Sequence, residues 1–149
     1  MTETDKNVYA AAGLALRWAQ TFEAEIVTVV LMHGVARGAF RVRSEAEAFV
    51  RKSEKRPLRH LLNEALARVR FEPDISGTFE AALDARNWFV HSFFWDRAEA
   101  FADDNQHEEL LKELRELTQL LYSAHTFAVI LRDLYAKQVE VAQENETPA

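Results

Sequence analysis

The chain of 149 residues contains no cysteine, and it has only 4 glycines and 3 prolines. The absence of cysteine excludes a disulfide framework, a thiolate zinc site and a cysteine nucleophile. The scarcity of glycine argues against the glycine-rich phosphate loops of nucleotide-binding folds, and the shortage of turn-forming residues argues against an all-β sandwich. The composition therefore favours helices, and nothing in it indicates an oxidising compartment.

The sequence also lacks an apolar leader and a long apolar run. Residues 1–7 are polar and acidic, and the longest nearly apolar run, residues 26–32, is far shorter than the roughly 20 residues of a membrane-spanning helix. We therefore expect a cytoplasmic protein that has neither a signal peptide nor a membrane span. The formal net charge of −6 gives no overall attraction for a polyanion, so contact with a nucleic acid requires a local basic site.

The spacing of the apolar residues predicts an all-α, up-and-down helical bundle of about five helices in a single domain, residues 1–149. Apolar residues recur at helical spacing over residues 8–35, 44–52, 57–69, 78–95 and 105–140. Residues 71–77 are the predicted main loop because they combine Pro, Asp, Ser and Gly, and polar tails are expected at residues 1–7 and 143–149.

The first and last predicted helices each carry a distinct apolar stripe. In the first helix apolar residues recur every four positions: Leu14, Trp18, Phe22, Ile26 and Val30. In the last helix the spacing alternates between four and three: Leu110, Leu114, Leu117, Leu121, Ala124, Ala128, Leu131 and Tyr135. Both stripes are interpreted as the faces that the helices bury.

Short polar motifs indicate where some helices begin. Ser44 and Glu47 have the spacing of a capping box, in which each side chain bonds the backbone amide of the other residue. Asp104 and His107 have the i, i+3 spacing of a metal-ligand pair, but we expect Asp104 to cap the following helix instead. The Glu-x-x-His pair of di-iron helical bundles is absent from the sequence. We therefore predict no metal and no cofactor.

One segment of the fourth predicted helix combines residue types that suit catalysis. Residues 84–94 read DARNWFVHSFF, in which Asn87 directly follows Arg86 and His91 comes four residues after Asn87. This segment resembles the Arg-Asn-x-x-x-His signature of the HEPN superfamily, whose members are small helical bundles that carry the motif on a late helix. The chain length, the helix order, the aromatic residues after the histidine and the long last helix agree with the resemblance. At the level of the bundle the resemblance covers residues 8–134.

The resemblance implies a homodimer and a metal-independent endoribonuclease of toxin–antitoxin or defence type, with a nucleotidyltransferase-type antitoxin as a possible partner. In such a reaction the 2′-hydroxyl of single-stranded RNA attacks the adjacent phosphorus and leaves a 2′,3′-cyclic phosphate. His91 is suited to be the general base or acid, since imidazole exchanges protons near neutral pH. Arg86 is suited to hold the phosphate oxygens with its planar fork. Asn87, one helical turn before His91, is suited to orient the imidazole or bind the substrate.

Helix geometry favours a site shared by two copies of the chain. In an α-helix Arg86 and His91 are about 140° apart around the axis, so they do not share one face. A cleft between two copies of the helix lets both side chains reach one phosphate. The same segment carries more aromatic side chains than one helix can bury in its own core: Trp88, Phe89, Phe93, Phe94 and Trp95. We therefore predict a homodimer that uses the fourth helix and the last one.

Two other interpretations remain open. If Arg86 forms an ion pair with Asp84 or Glu80 and His91 faces the core, the motif is structural. The chain is then a non-catalytic RNA- or protein-binding bundle, or a subunit whose last helix serves assembly. Basic residues in the first half of the chain either line an RNA path or form a solvated surface: Arg37, Arg41, Arg43, Arg51, Lys52, Lys55, Arg56, Arg59, Arg68 and Arg70.

Overall fold

The computed structural model describes residues 1–68 and 72–146, and these residues form helices and connecting turns with no β-strand. The first four helices are α1 (Glu3–Ala36), α2 (Arg43–Ser53), α3 (Leu58–Arg68) and α4 (Pro73–Trp88). After α4 follow a π-helical segment (Phe89–Phe93), the short helices α5 (Phe94–Asp96) and α6 (Ala98–Phe101), a 3-10 turn (Asp104–Gln106) and α7 (His107–Glu146). The prediction of an all-α helical bundle is confirmed.

The chain divides into two compact units, and each of the two long helices contributes to both. Unit 1 comprises residues 1–22 and 73–125, and unit 2 comprises residues 23–72 and 126–149. The largest buried side chains of unit 1 include Val8, Phe22, Phe79, Leu83, Phe89, Phe93, Leu114 and Leu121. Among the described residues of unit 2 the buried apolar side chains are Ile26, Val29, Val30, Leu58, Leu61, Leu62, Ala65, Ala128 and Tyr135. Each unit therefore has an apolar core of its own.

The apolar stripe predicted for the last helix is confirmed, whereas the one predicted for the first helix is partly wrong. All members of the α7 stripe are buried except Leu131, which is half-buried. In α1 the predicted Leu14 is 46% exposed, and the alanines at 12, 15 and 19 line the buried face instead. A repeat of four residues drifts by about 40° per step in an α-helix, so it cannot stay on one face over five positions.

Helix α1 begins at Glu3, five residues before its predicted start at Val8, so residues 3–7 of the predicted polar tail are helical. The Thr2 backbone N–H donates to Asp5 Oδ2 at 2.7 Å, and the Asp5 backbone N–H donates to Thr2 Oγ1 at 3.2 Å. This reciprocal pair has the geometry of a capping box with aspartate in place of glutamate. It satisfies amides that otherwise lack a partner in the first helical turn.

The capping box predicted at Ser44 and Glu47 is wrong. Helix α2 begins at Arg43, and its N-cap residue, Val42, has no side-chain cap bond. Glu47 instead accepts a hydrogen bond from Arg43 Nε at 2.8 Å, one turn earlier on the same helix. Glu45 Oε2 accepts a hydrogen bond from the Arg41 backbone N–H at 2.9 Å. The glutamate that bonds the backbone near the start of α2 is therefore Glu45, two residues before the predicted Glu47.

The loop predicted over residues 71–77 is helical from Pro73 onward, so that prediction is wrong for residues 73–77. Proline is compatible with the first turn because the amide that it lacks has no partner there. The hydroxyls of Ser76 and Thr78 donate to the carbonyls of Pro73 and Asp74 at 3.1 and 2.8 Å, so both side chains find their hydrogen-bond partners within the helix.

Some predicted segments extend into residues that the structure does not describe. The predicted polar tail is helical over residues 143–146, because α7 continues to Glu146, and the rest of that tail, residues 147–149, lies outside the described residues. Val69 at the end of the third predicted helix and Phe71 at the start of the predicted loop also lie outside them. In the part of the chain that is described, no helix combines the length and apolar character needed to cross a membrane.

Candidate functional site

Arg86 and Asn87 lie in the last turn of α4, and both side chains are half-buried. Arg86 Nη1 donates a hydrogen bond to Asn87 Oδ1 at 3.0 Å. Adjacent residues of a helix do not face each other, so the guanidinium must fold back along the helix surface to make this contact. The structure therefore brings together the first two predicted site residues, with the amide of Asn87 orienting the guanidinium of Arg86.

His91 lies in the π-helical segment that directly follows α4, and its side chain is exposed. Among the described residues it has no hydrogen-bond, ion-pair or ring partner. The interpretation of His91 as a histidine that faces the core is therefore wrong. The predicted orientation of the imidazole by Asn87 is also not seen, since Asn87 contacts Arg86. An exposed imidazole without a partner is accessible to a ligand.

The π-helical segment changes the angle between the predicted site residues. A π-helix bonds residue i to i+5, so each turn holds more residues than an α-helical turn and each residue advances by less than 100°. Between Arg86 and His91, the residues from Phe89 onward follow this geometry. The two side chains are therefore closer in angle than the about 140° expected for a regular α-helix.

Buried aromatic rings hold the π-helical segment in place. Phe89 and Phe93 are 2% and 0% exposed, and their ring centroids lie 5.2 Å apart. The Trp88 ring contacts Phe93 edge-on at 5.3 Å. Because these rings flank His91 in sequence on both sides, the backbone that carries the imidazole is fixed while the imidazole itself is exposed.

A second set of contacts fixes the chain immediately after this segment. Trp88 Nε1 donates to Asp96 Oδ2 at 2.9 Å, and the Arg97 guanidinium lies 5.2 Å from the centre of the Trp88 ring. Arg97 also donates two hydrogen bonds to Glu113 of α7, at 2.9 and 2.7 Å. The hydrogen bonds to Glu113 raise the pKa of the Arg97 guanidinium. No sequence pattern had indicated this group of contacts.

Two of the aromatic residues and one valine beside His91 are exposed. Trp95 is 86% exposed, Phe94 is 50% exposed and Val90 is 43% exposed. The prediction that the five aromatic side chains of this segment exceed what its own core buries is therefore confirmed for Phe94 and Trp95, whereas Phe89 and Phe93 are buried. We refer to Val90, Phe94 and Trp95 as the apolar patch.

The helix cap predicted at Asp104 is provided by its neighbour. Asp103 Oδ1 accepts from the Asn105 backbone N–H at 3.0 Å, and hydrogen bonds from Gln106 and Asn105 lower the pKa of Asp103. Asp104 instead approaches Nδ1 of His107, with Oδ1 at 3.7 Å. Together with Asp5 these two residues form a group whose potential ligand atoms lie within 4.8 Å of one another, close enough to hold a cation.

The basic residues of the first half of the chain lie mostly on exposed surface of unit 2. Ion pairs join Arg43 to Glu47 at 2.8 Å and Arg56 to Glu64 at 3.1 Å. The side chain of Arg68 and the whole of Arg70 lie outside the described residues. Pairing with glutamates reduces the positive charge that this surface presents to RNA.

Comparison of the chain with protein-family models, curated proteins and solved structures gives no match. The arrangement of its side chains is therefore the basis for assigning a function. In that arrangement Arg86, whose guanidinium is bonded to the Asn87 amide, and His91, whose imidazole has no partner among the described residues, lie within two turns of one continuous helical segment.

Proposed function

We propose that this protein is a metal-independent endoribonuclease that cleaves single-stranded RNA as a homodimer, in the manner of the HEPN superfamily that its motif resembles. The observation that carries the proposal is the exposure of His91 on a π-helical segment one turn after the paired Arg86 and Asn87. Short π-helical segments are rare and are frequently found at functional sites. The burial of Phe89 and Phe93 provides the rigid support that such a site requires.

The reaction is an internal transfer at phosphorus. The His91 imidazole takes the proton of the ribose 2′-hydroxyl, and the 2′-oxygen forms a bond to the adjacent phosphorus. The bond from phosphorus to the 5′-oxygen breaks, and that oxygen leaves as an alcohol after it takes a proton from an imidazolium or from water. Negative charge grows on the non-bridging oxygens, and the Arg86 guanidinium binds them through two parallel N–H groups. The products are a 2′,3′-cyclic phosphate and a 5′-hydroxyl.

The apolar patch is the surface through which we expect two copies of the chain to pair. An exposed tryptophan, phenylalanine and valine within six residues form an unusual concentration of apolar surface beside a polar site. In a two-fold dimer the patch of one copy packs on that of the other, because an isologous interface uses the same surface on both sides. Such packing places two copies of His91 and Arg86 near one another, which gives a cleft with two imidazoles and two guanidinium groups.

The experiment that tests the proposal compares single-residue variants in an RNA cleavage assay. Purified protein is incubated with labelled single-stranded RNA in excess EDTA, and the products are scored for 2′,3′-cyclic phosphate ends. We expect His91→Ala to lower the rate by about 10² to 10⁴, the usual range for a general acid or base. Arg86→Lys should also lower it strongly, because an ammonium keeps the charge but lacks the bidentate fork. His60→Ala, which removes another exposed histidine, is the matched control and should leave the rate unchanged.

Two outcomes would overturn the ribonuclease proposal. Equal cleavage by the wild type and by His91→Ala would identify a contaminating nuclease. No cleavage of varied RNAs by a folded wild-type dimer would favour the second candidate function, a non-catalytic binding bundle.

The 86% exposure of Trp95 favours the non-catalytic binding bundle, because an exposed aromatic ring stacks well on an unpaired base. RNA binding that Trp95→Ala abolishes and His91→Ala leaves unchanged would support it.

A further inference from the structure

Three side chains that the proposed reaction does not use form a compact group in unit 1. Asp5 lies in the first turn of α1, Asp104 lies in the 3-10 turn, and His107 is the first residue of α7. The His107 side chain is 2% exposed, that of Asp5 is 22% exposed and that of Asp104 is 64% exposed. The group therefore has a buried nitrogen side and a side that opens to solvent at Asp104.

The hydrogen bond of His107 shows that one of its ring nitrogens carries a hydrogen. Nε2 lies 3.0 Å from the carbonyl oxygen of Phe101. A carbonyl only accepts, so Nε2 carries the hydrogen and donates it. Nδ1 is buried and has no hydrogen-bond partner. In a neutral imidazole this atom then presents a lone pair toward the carboxylate of Asp104, 3.7 Å away.

A buried Nδ1 lone pair that faces a carboxylate is unfavourable unless a proton or a metal ion lies between the two atoms. A histidine that donates one N–H to a backbone carbonyl and directs the other nitrogen toward a carboxylate has the usual arrangement of a metal ligand. The capping of the 3-10 turn does not explain Asp104, because Asp103 provides that cap. The unpartnered Nδ1 and the otherwise unused Asp104 therefore offer two ligand atoms to a metal ion.

Asp5 supplies a second carboxylate to the group. Its Oδ2 accepts the hydrogen bond from the Thr2 backbone N–H at 2.7 Å, which caps α1. Its Oδ1 is not used by that cap and lies 3.8 Å from Nε2 of His107.

We propose that Asp5, Asp104 and His107 bind one divalent transition-metal ion, of which Zn²⁺ is the representative probe. An imidazole nitrogen with two carboxylate oxygens suits Zn²⁺, Co²⁺ and Ni²⁺, whereas Mg²⁺ and Ca²⁺ prefer ligands that are all oxygen. Zinc is bound at about 2.0 to 2.2 Å by such atoms. The Asp5 carboxylate, which lies nearest to Nε2, therefore has to turn toward Nδ1 to join Asp104 around the ion. Three protein ligands leave room for water on the exposed side.

The role of the ion is structural. It joins the first turn of α1 to the first turn of α7, and these turns are roughly 100 residues apart in the chain, so it closes a long loop of the chain. The inference does not rest on the proposed ribonuclease activity, because metal binding is measured without RNA.

Calorimetric titration of the full chain with ZnCl₂, after treatment with a chelator, tests the proposal. We expect one ion per chain for the wild type and a Kd at least about 10-fold weaker for Asp104→Asn and for Asp5→Asn. Glu108→Gln is the matched control, because it removes one negative charge from an exposed side chain in the same turn of α7. That variant should bind zinc as the wild type does. At the same zinc concentration the Tm should rise for the wild type and for Glu108→Gln, and it should rise less for Asp104→Asn.

The role of His107 needs a measurement on the wild type, because truncation of a buried histidine can unfold the protein. Zinc should move the Nδ1 resonance of His107 in a nitrogen-detected NMR spectrum and leave those of the exposed His60 and His91 in place. Absence of zinc binding would overturn the proposal. So would an aspartate variant with wild-type affinity, a Glu108→Gln variant weakened as much as Asp104→Asn, or a resonance shift confined to His60 or His91.

Discussion

Replacement of Arg97 by alanine removes the side chain that connects the end of the candidate site to α7. Its guanidinium donates two hydrogen bonds to Glu113, at 2.9 and 2.7 Å, and lies over the Trp88 ring at 5.2 Å. Trp88 is three residues before His91, so the same contacts hold the chain on both sides of the π-helical segment. We expect Arg97→Ala to lower the free energy of unfolding and to loosen this segment.

The magnitude follows from the contacts that are lost. Hydrogen bonds to a charged group are worth about 1.5 to 3 kcal/mol, and a cation–π contact at an exposed site is worth about 0.5 to 1 kcal/mol. The side chains of Arg97 and Glu113 are 37% and 34% exposed, so solvent screens the pair and the lower end of the range applies. We therefore expect a loss of about 2 kcal/mol, or roughly 6 °C in Tm for a chain of this size. Arg97→Lys should lose about half as much, because it keeps one hydrogen bond.

Urea unfolding followed by tryptophan fluorescence measures this loss. The 3 tryptophans of the chain, at positions 18, 88 and 95, all lie in unit 1, so the fluorescence reports on the unit that contains Arg97. A double-mutant cycle with Glu113→Ala should give a coupling energy of about 1 kcal/mol. Arg115→Ala, at an exposed position of the same helix, is the control and should change the stability by less than about 0.5 kcal/mol. A coupling energy near zero, or equal losses for Arg97→Ala and Arg115→Ala, would refute the reasoning.

Three further predictions follow from burial and charge. The hydrogen bonds to Asp103 lower its folded pKa below the ordinary 3.8, so they stabilise the fold above that value and the stabilisation is lost as the pH falls below it. Urea midpoints at about pH 7 and about pH 3 should therefore differ more in the wild type than in Asp103→Asn. Leu83→Ala should cost about 2 to 5 kcal/mol because Leu83 is fully buried, whereas Leu16→Ala, at 41% exposure, should cost under about 0.5 kcal/mol. Trp95→Ala should shift sedimentation from dimer toward monomer without a change in helix content, and an unchanged monomer mass in both proteins would contradict the proposed dimer.

The two long helices show how far the sequence determines the buried face. Along α7 the apolar residues alternate between spacings of four and three, which follows the helical repeat, and the face predicted from them is buried. Along α1 the largest side chains recur every four residues, and this regular pattern led to the wrong face around Leu14. Small alanines line the buried face there, and alanine carries too little hydrophobic surface to distinguish a core position from an exposed one by sequence.

For the candidate site, the sequence predicts the residues but not their geometry. The sequence identified Arg86, Asn87 and His91 by residue type, and the exposure of His91 agrees with the use predicted for it. The π-helical segment could not be predicted, because it is a choice between i to i+4 and i to i+5 hydrogen bonds that neighbouring packing decides. Asp5 was missed for a related reason, since only the folded chain brings it beside Asp104 and His107.

A mixing experiment separates a site shared by two chains from a site within one chain. If the phosphate is bound by Arg86 of one copy and the proton is taken by His91 of the other, Arg86→Ala and His91→Ala homodimers are both inactive. Equal mixing after dissociation gives about half heterodimers, and each of these has one intact site of two, so the activity should return to about a quarter of the wild-type value. A site within one chain gives no recovery on mixing, because every chain then lacks one of the two groups. Activity that stays at the level of the separate variants, while heterodimers are shown to form, would refute the shared site.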